Sequence, residues 1–165
     1  MQRLDWDDFY FKIAFVYASH GTCDRLRTAC IIVDKNHKLV GAGYNGSIPG
    51  TKHCDDVGHL MLEGHCLRTL HGEYNAIRQS DVNLEGATAY ILGTPCIDCM
   101  KKLLAEGVRI IKYAGEYDNS KGKEVIETLA REVGAELINI DLDFIKLLYD
   151  VNMIHKGSGG FYRDK

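Results

Sequence analysis

His71-Gly72-Glu73 and Pro95-Cys96-Ile97-Asp98-Cys99 are two chemistry-bearing runs, with 22 positions from Glu73 to Pro95. That gap is room for one helix and one strand. A helix opening at His71 and a second opening near Pro95, a residue suited to a first turn, would then start side by side at one edge of a sheet. Residues at i and i+2 do not share a helix face, so His71 must stand at the very start of its helix for both His71 and Glu73 to reach one spot. A helix start favours thiolates over thiols. One imidazole and the sulfurs of Cys96 and Cys99 make three zinc ligands, the number a catalytic zinc takes while keeping a position for water. Each run alone is weak: a C-x-x-C is equally a redox pair or a structural half-site, and an H-x-E an ordinary surface pair. Together they predict a catalytic zinc, because a structural site more often uses four Cys/His ligands and has no need of a neighbouring carboxylate.

The rest of the chain supplies the sheet. Asp5 is a helix N-cap, and Leu4, Trp6, Phe9, Tyr10, Ile13 and Tyr17 recur near helical spacing, which predicts an amphipathic helix over 5–20 ending near Gly21. Ala29-Cys30-Ile31-Ile32-Val33 reads as a buried strand, Asp34 to His37 as a turn, and Lys38 to Tyr44 as the returning strand. Residues 45–66 show no period and carry three His and two Cys, which reads as a long functional or stapled loop. Helices are expected at 72–79, from Pro95, at 123–133 and at 141–152, and strands at 87–92, 108–113 and 136–140. The expected fold is α/β: three layers, α/β/α, with a mixed five-stranded sheet and helices on both faces. The expected organisation is one domain over 1–154 with a mobile Gly-rich tail at 155–165.

Composition excludes several classes. Hydrophobic residues at 45% of 165 are enough to bury one core, which argues against disorder. A net charge of −3 lacks the basic footprint of a polynucleotide binder, though one small phosphate needs only a local basic pocket. No apolar stretch approaches the roughly 18–20 residues of a membrane span, and Met1-Gln2-Arg3-Leu4-Asp5-Trp6-Asp7-Asp8 is too acidic for a signal peptide. The expected location is therefore the cytoplasm, where six clustered Cys bind metal or do chemistry more often than they form disulfides.

The paired runs match the H-x-E … P-C-x-x-C signature of zinc nucleobase deaminases. Zinc brings a water to a pKa of about 7, and Glu73 is expected to carry that water's proton to a cytosine ring nitrogen and then to the departing ammonia. Three segments narrow the resemblance: Gly43-Tyr44-Asn45-Gly46, the run Gly64-His65-Cys66-Leu67-Arg68-Thr69-Leu70-His71-Gly72-Glu73-Tyr74-Asn75-Ala76-Ile77, and Pro95 to Cys99. From about Tyr17 to Gly134 the chain resembles the deoxycytidylate (dCMP) deaminase family of the cytidine deaminase-like superfamily. Gly72 is a departure, since the family usually has Ala there.

The resemblance implies conversion of dCMP to dUMP, which feeds thymidylate synthesis. It implies that Asn45 binds the substrate's sugar or phosphate and that Tyr117 covers the base. It places Gly43, Tyr44, Asn45 and Gly46 in an allosteric nucleotide site, where dCTP, with Mg²⁺ on its triphosphate, activates and dTTP inhibits. It implies a homo-oligomer, commonly a hexamer. Some members hold a second, structural zinc near the hairpin and long loop, for which the ligand set here is Cys23, Cys54, His59 and Cys66, with His65 as the alternate fourth. Such a site would staple the irregular loop. The residues themselves offer Arg25, Arg27, Arg68, Lys121 and Lys123 to a phosphate, with Arg68 favoured for lying three positions before His71. Two rival readings share the zinc motif: a polynucleotide deaminase acting on tRNA or single-stranded DNA, which the acidic balance disfavours, and a silent nucleotide-binding regulator, which has no use for Glu73.

Overall fold

The computed structural model describes residues 3–115 and 122–143. Helix α1 (Trp6–Ala18) is capped by the Asp5 carboxylate, which accepts the Asp8 N–H at 2.8 Å. Strands β1 (Ala29–Val33) and β2 (Leu39–Tyr44) pair antiparallel around a turn in which the Asp34 carboxylate accepts the N–H groups of Asn36 and Lys38, each at 2.8 Å. The long loop holds five short pieces: β3 (Gly46–Ser47), α2 (Cys54–Val57), β4 (Met61–Leu62), β5 (His65–Cys66) and β6 (Thr69–Leu70). Then follow α3 (Gly72–Arg78), β7 (Thr88–Leu92), α4 (Ile97–Ala105), β8 (Ile110–Ala114), α5 (Lys123–Glu132) and β9 (Glu136–Asn139).

The main sheet has the order β2-β1-β7-β8-β9. β1 runs antiparallel to β2 and β7, whereas β7, β8 and β9 are parallel, so the sheet is mixed as expected. Side chains along a strand alternate between faces, and the two cores divide accordingly. Ile31, Val33 and Tyr90 pack under α1 with Tyr10, Phe11 and Ala14. Cys30, Ile32, Ala89, Ile91 and Ile111 face the other way, onto α3, α4 and α5, with Ala76, Met100, Leu103 and Ile126. Lys112 and the Tyr90 hydroxyl both bond Asp7, at 2.6 and 3.0 Å, which ties α1 to the sheet.

Cys30 lies fully within this core, as plain packing. The helix expected over 141–152 and the tail at 155–165 lie outside the described residues, apart from Asp141, Leu142 and Asp143, which form no helix. Among the described residues no helix is long and apolar enough to cross a membrane.

Two glycines set the position of α3. On β2, Gly41 and Gly43 face the helix, which answers with Gly72 and Ala76 one turn apart. A Cβ at Gly43 would stand closer than 3.0 Å to Ala76 N, Gly72 O and Asn75 C, all of them backbone. Gly72 is nearly as tight, with a Cβ there meeting Gly43 O at 3.0 Å and Ala29 Cα at 3.2 Å. The small residue at 72 thus suits a strand and helix in near contact. Gly43→Ala should destabilise the protein by about 3 kcal/mol, the cost of overpacking against backbone that has nowhere to go. Urea unfolding reads that loss, and bound zinc per chain should fall with it, because α3 carries His71 and Glu73.

Candidate active site

Both helix starts carry their ligands at the cap position. His71 caps α3 in extended backbone, with φ −68° and ψ 152°, and Cys96 caps α4 with φ −74° and ψ 163°. α3 and α4 pack together on one face of the sheet, which brings these two ends to one place. His71 Nδ1 lies 3.5 Å from Cys96 Sγ and 3.3 Å from Cys99 Sγ. Zinc bound at about 2.3 Å to sulfur and about 2.1 Å to nitrogen sets tetrahedral S···N edges of roughly 3.6 Å, so these donors suit one ion.

The charges also fit a cation. Cys96 is held down to about 4 by the hydrogen bond from Cys99 and, after burial has opposed it, by that of His71. Cys99 is pushed well up, first by sharing its proton with Cys96 and then by burial. The His71 imidazole is raised mainly by its bond to Cys96.

Glu73 is 6% exposed, beside these three residues and in contact with Cys99. Burial is the first cause that raises its carboxyl above the usual carboxylate range. An acid shifted in that direction approaches the poise a proton carrier needs near neutral pH.

The group opens into a cavity of about 400 Å³, a size usual for a small ligand. His71, Glu73 and Cys96 line it, together with Asn45, Arg25, His65, Thr28, Thr94, Leu26 and Leu92. Asn45 is 8% exposed, and its amide is already engaged: Oδ1 accepts the Gly72 N–H at 3.0 Å and Nδ2 donates to Leu26 O at 3.2 Å. It therefore anchors the start of α3 as well as lining the cavity.

A second cavity of about 490 Å³ lies behind that wall, lined by Tyr44, Gly46, Arg27, Arg78, His20 and His53 among others. Tyr44 and Gly46 line this one while Asn45, between them, lines the first. Gly43 was expected beside Tyr44 at a nucleotide; it lines neither cavity, because its face of β2 is filled by α3. Arg68 lines neither cavity either. Its Nε donates to Gly58 O at 3.1 Å, which turns it along the loop instead. Tyr117 and Lys121 lie outside the described residues.

A second donor group gathers Cys23, Cys54, His59 and Cys66. Cys54 Sγ lies 3.6 Å from Cys66 Sγ, and Cys23 Sγ lies 3.6 Å from His59 Nδ1, again near tetrahedral edges. His59 turns its other nitrogen to Asp24 Oδ1 at 3.3 Å, the arrangement in which a carboxylate orients a metal-binding imidazole. Cys66 is drawn down to about 7: burial pushes it up, but the N–H groups of Arg68 and Leu60 and the Cys54 thiol outweigh that. Cys54 is pushed up to about 12, by burial first. His65, the alternate ligand, is outside this group and lines the first cavity.

The description "Cytidine and deoxycytidylate deaminase zinc-binding region" matches residues 4–114. The chain belongs to that deaminase family. ComE operon protein 2 of Bacillus subtilis (strain 168) is 35% identical over 146 residues, covering 87% of this chain and 75% of that protein. Deoxycytidylate deaminase of Mycobacterium phage D29 is 29% identical over 129 residues, 70% of this chain and 99% of that one. The crystal structure of dCMP deaminase from cyanophage S-TIM5 in complex with dCMP and dUMP superposes with a TM-score of 0.69 at 25% identity, over 85% of this chain and all of that one. The matched region spans His71, Cys96 and Cys99 as well as Cys23, Cys54, His59 and Cys66, so both donor groups fall within the zinc-binding region of the family.

Proposed function

We propose that this protein hydrolyses dCMP to dUMP and ammonia with a catalytic zinc on His71, Cys96 and Cys99. The observation that carries the reading is the convergence of those three donors beside a cavity that His71, Cys96 and the buried Glu73 line. The relatives named for deoxycytidylate deamination support the choice of substrate.

When bound, zinc supplies Lewis acidity that lets a water lose a proton near neutral pH. Glu73 takes that proton and delivers it to ring nitrogen N3 as the oxygen adds to C4. It then moves the proton of the hydroxyl now on C4 to the exocyclic nitrogen, the C4–N bond breaks as the C=O bond forms, and ammonia leaves with the oxygen retained as the product carbonyl. His71 and Cys96, fixed at helix caps, hold the ligand set so that little reorganisation is needed during turnover. Thr28, whose hydroxyl donates to Leu92 O, and Thr94 also line the cavity, and Leu26 and Leu92 give it apolar walls that exclude water from the ring.

The same reading extends to regulation and assembly. The cationic side chains Arg27 and Arg78, with His20 and His53, make the second cavity suited to a polyphosphate. There dCTP with Mg²⁺ activates and dTTP inhibits, in a cytoplasmic homo-hexamer that supplies dUMP for thymidylate synthesis. The group at Cys23, Cys54, His59 and Cys66 holds a structural zinc.

A panel of dCMP, deoxycytidine, dCTP and a single-stranded oligonucleotide, read by ammonia release, tests this. The expected result is fastest turnover of dCMP, stimulated by dCTP and suppressed by dTTP. Release from the oligonucleotide alone would reassign the enzyme to polynucleotides.

A further inference from the structure

Among the described residues, the first cavity is lined by few charged side chains. Two thiolates neutralise a divalent zinc, and Glu73 is the single carboxylate among the residues that line it. The metal-binding donors and Glu73 therefore offer no net positive charge to an arriving anion. Among the described residues, Arg25 is the one Lys or Arg in the lining.

Resting on the dCMP reading, we propose that the Arg25 guanidinium receives the phosphate of the nucleotide and so sets the preference for a monophosphate over the free nucleoside. Arg25 is held in place before any ligand arrives. Its Nη2 donates to Gly64 O at 3.1 Å, and its Nη1 rests on Met61 Sδ at 3.7 Å. A guanidinium has five N–H donors in a planar fork, so donors remain for phosphate oxygens, a geometry Lys does not reproduce.

Both ends of this support are tied to the second donor group. Cys23 lies two residues before Arg25, and Cys66 two residues after Gly64. Fixing the cation in advance cuts the ordering cost of binding. The two other candidate arginines are committed elsewhere. Arg68 turns along the loop to Gly58, and Arg27 lines the second cavity and faces Asp55 at 3.5 Å.

The test compares wild type, Arg25→Ala and Arg25→Lys on dCMP and on deoxycytidine. Loss of a charge-assisted contact predicts a KM for dCMP raised roughly 10- to 100-fold in Arg25→Ala. Its kcat should stay within about twofold and its deoxycytidine turnover should be unchanged, with partial recovery in Arg25→Lys. Titration with dUMP, which needs no turnover, should show the same loss of affinity. A purely structural role would instead depress both substrates together. An Arg25→Ala enzyme that keeps wild-type discrimination overturns the assignment and leaves dCMP as the substrate. A wild type that prefers deoxycytidine overturns both.

Discussion

Replacing Glu73 by Gln should lower kcat on dCMP by roughly 10²- to 10⁴-fold, the usual worth of a positioned proton carrier. Gln keeps the shape of the side chain and its hydrogen-bonding reach, but it has no site for the transferred proton. The His71, Cys96 and Cys99 donors are untouched, so zinc content should stay at the wild-type value. Affinity for dUMP should change little, which separates a lost chemical step from a lost pocket. Stability is a further readout. Glu73 is 6% exposed and burial works against its ionised form, so an uncharged amide should leave the melting temperature equal or higher. Single-turnover ammonia release, metal analysis and thermal melting together decide the matter. A kcat within tenfold of wild type in a zinc-loaded Gln variant would remove Glu73 from the reaction.

Cys54→Ala should cost the protein one zinc per chain and loosen the segment from Ile48 to Leu67. Throughout that stretch Cys54 is the only buried residue, with Cys66 partly so. Leu60, Met61, Leu62 and Leu67 are 45–58% exposed, so apolar burial does not hold the segment down. What remains is the donor group and a few exposed polar contacts, such as Arg25 to Gly64 O, Arg68 to Gly58 O and Arg27 to Asp55. Losing an outer-shell partner of a metal typically costs 10–100-fold in affinity, and losing a ligand should cost more. The transition should be local, since α1, the main sheet and α3 to α5 have cores of their own. Limited proteolysis should nick the variant between residues 48 and 67 while the remaining domain stays folded. Metal analysis should fall from two equivalents to one. Two full equivalents in a protease-resistant variant would show that the loop is held some other way.

Much of this was legible in the sequence, for identifiable reasons. β1 was found at its true limits because five buried residues in a row leave no ambiguity of period. The three-ligand site was legible because its chemistry fixes both residue type and spacing. The Cys23, Cys54, His59 and Cys66 group came from the resemblance, and the structure brings those four together. The pieces β3 to β6 were not legible. They are two to four residues long and are organised by donors and backbone bonds, which leave no hydrophobic pattern. Arg68 was favoured over Arg25 because proximity in sequence to His71 stood in for proximity in space. Arg25 lines the cavity while its guanidinium meets the β4–β5 hairpin at Gly64 O, a contact across 39 positions of sequence. Gly43 looked like a ligand loop because the contact that demands a glycine there comes from α3, some 30 positions further on.

The alternation of Tyr44, Asn45 and Gly46 between two cavities makes this ribbon a shared wall. Thr22 fastens it from outside through its N–H to Asn45 O at 3.0 Å, and the Asn45 amide fastens it to α3 at Gly72. If a molecule in the second cavity shifts the backbone at Tyr44 and Gly46, Asn45 between them shifts with it. Linkage then runs equally in both directions: whatever factor a guest behind the wall imposes on affinity at the catalytic side, a guest at the catalytic side imposes on the one behind. The two compartments would thus report on each other's occupancy even within a single chain.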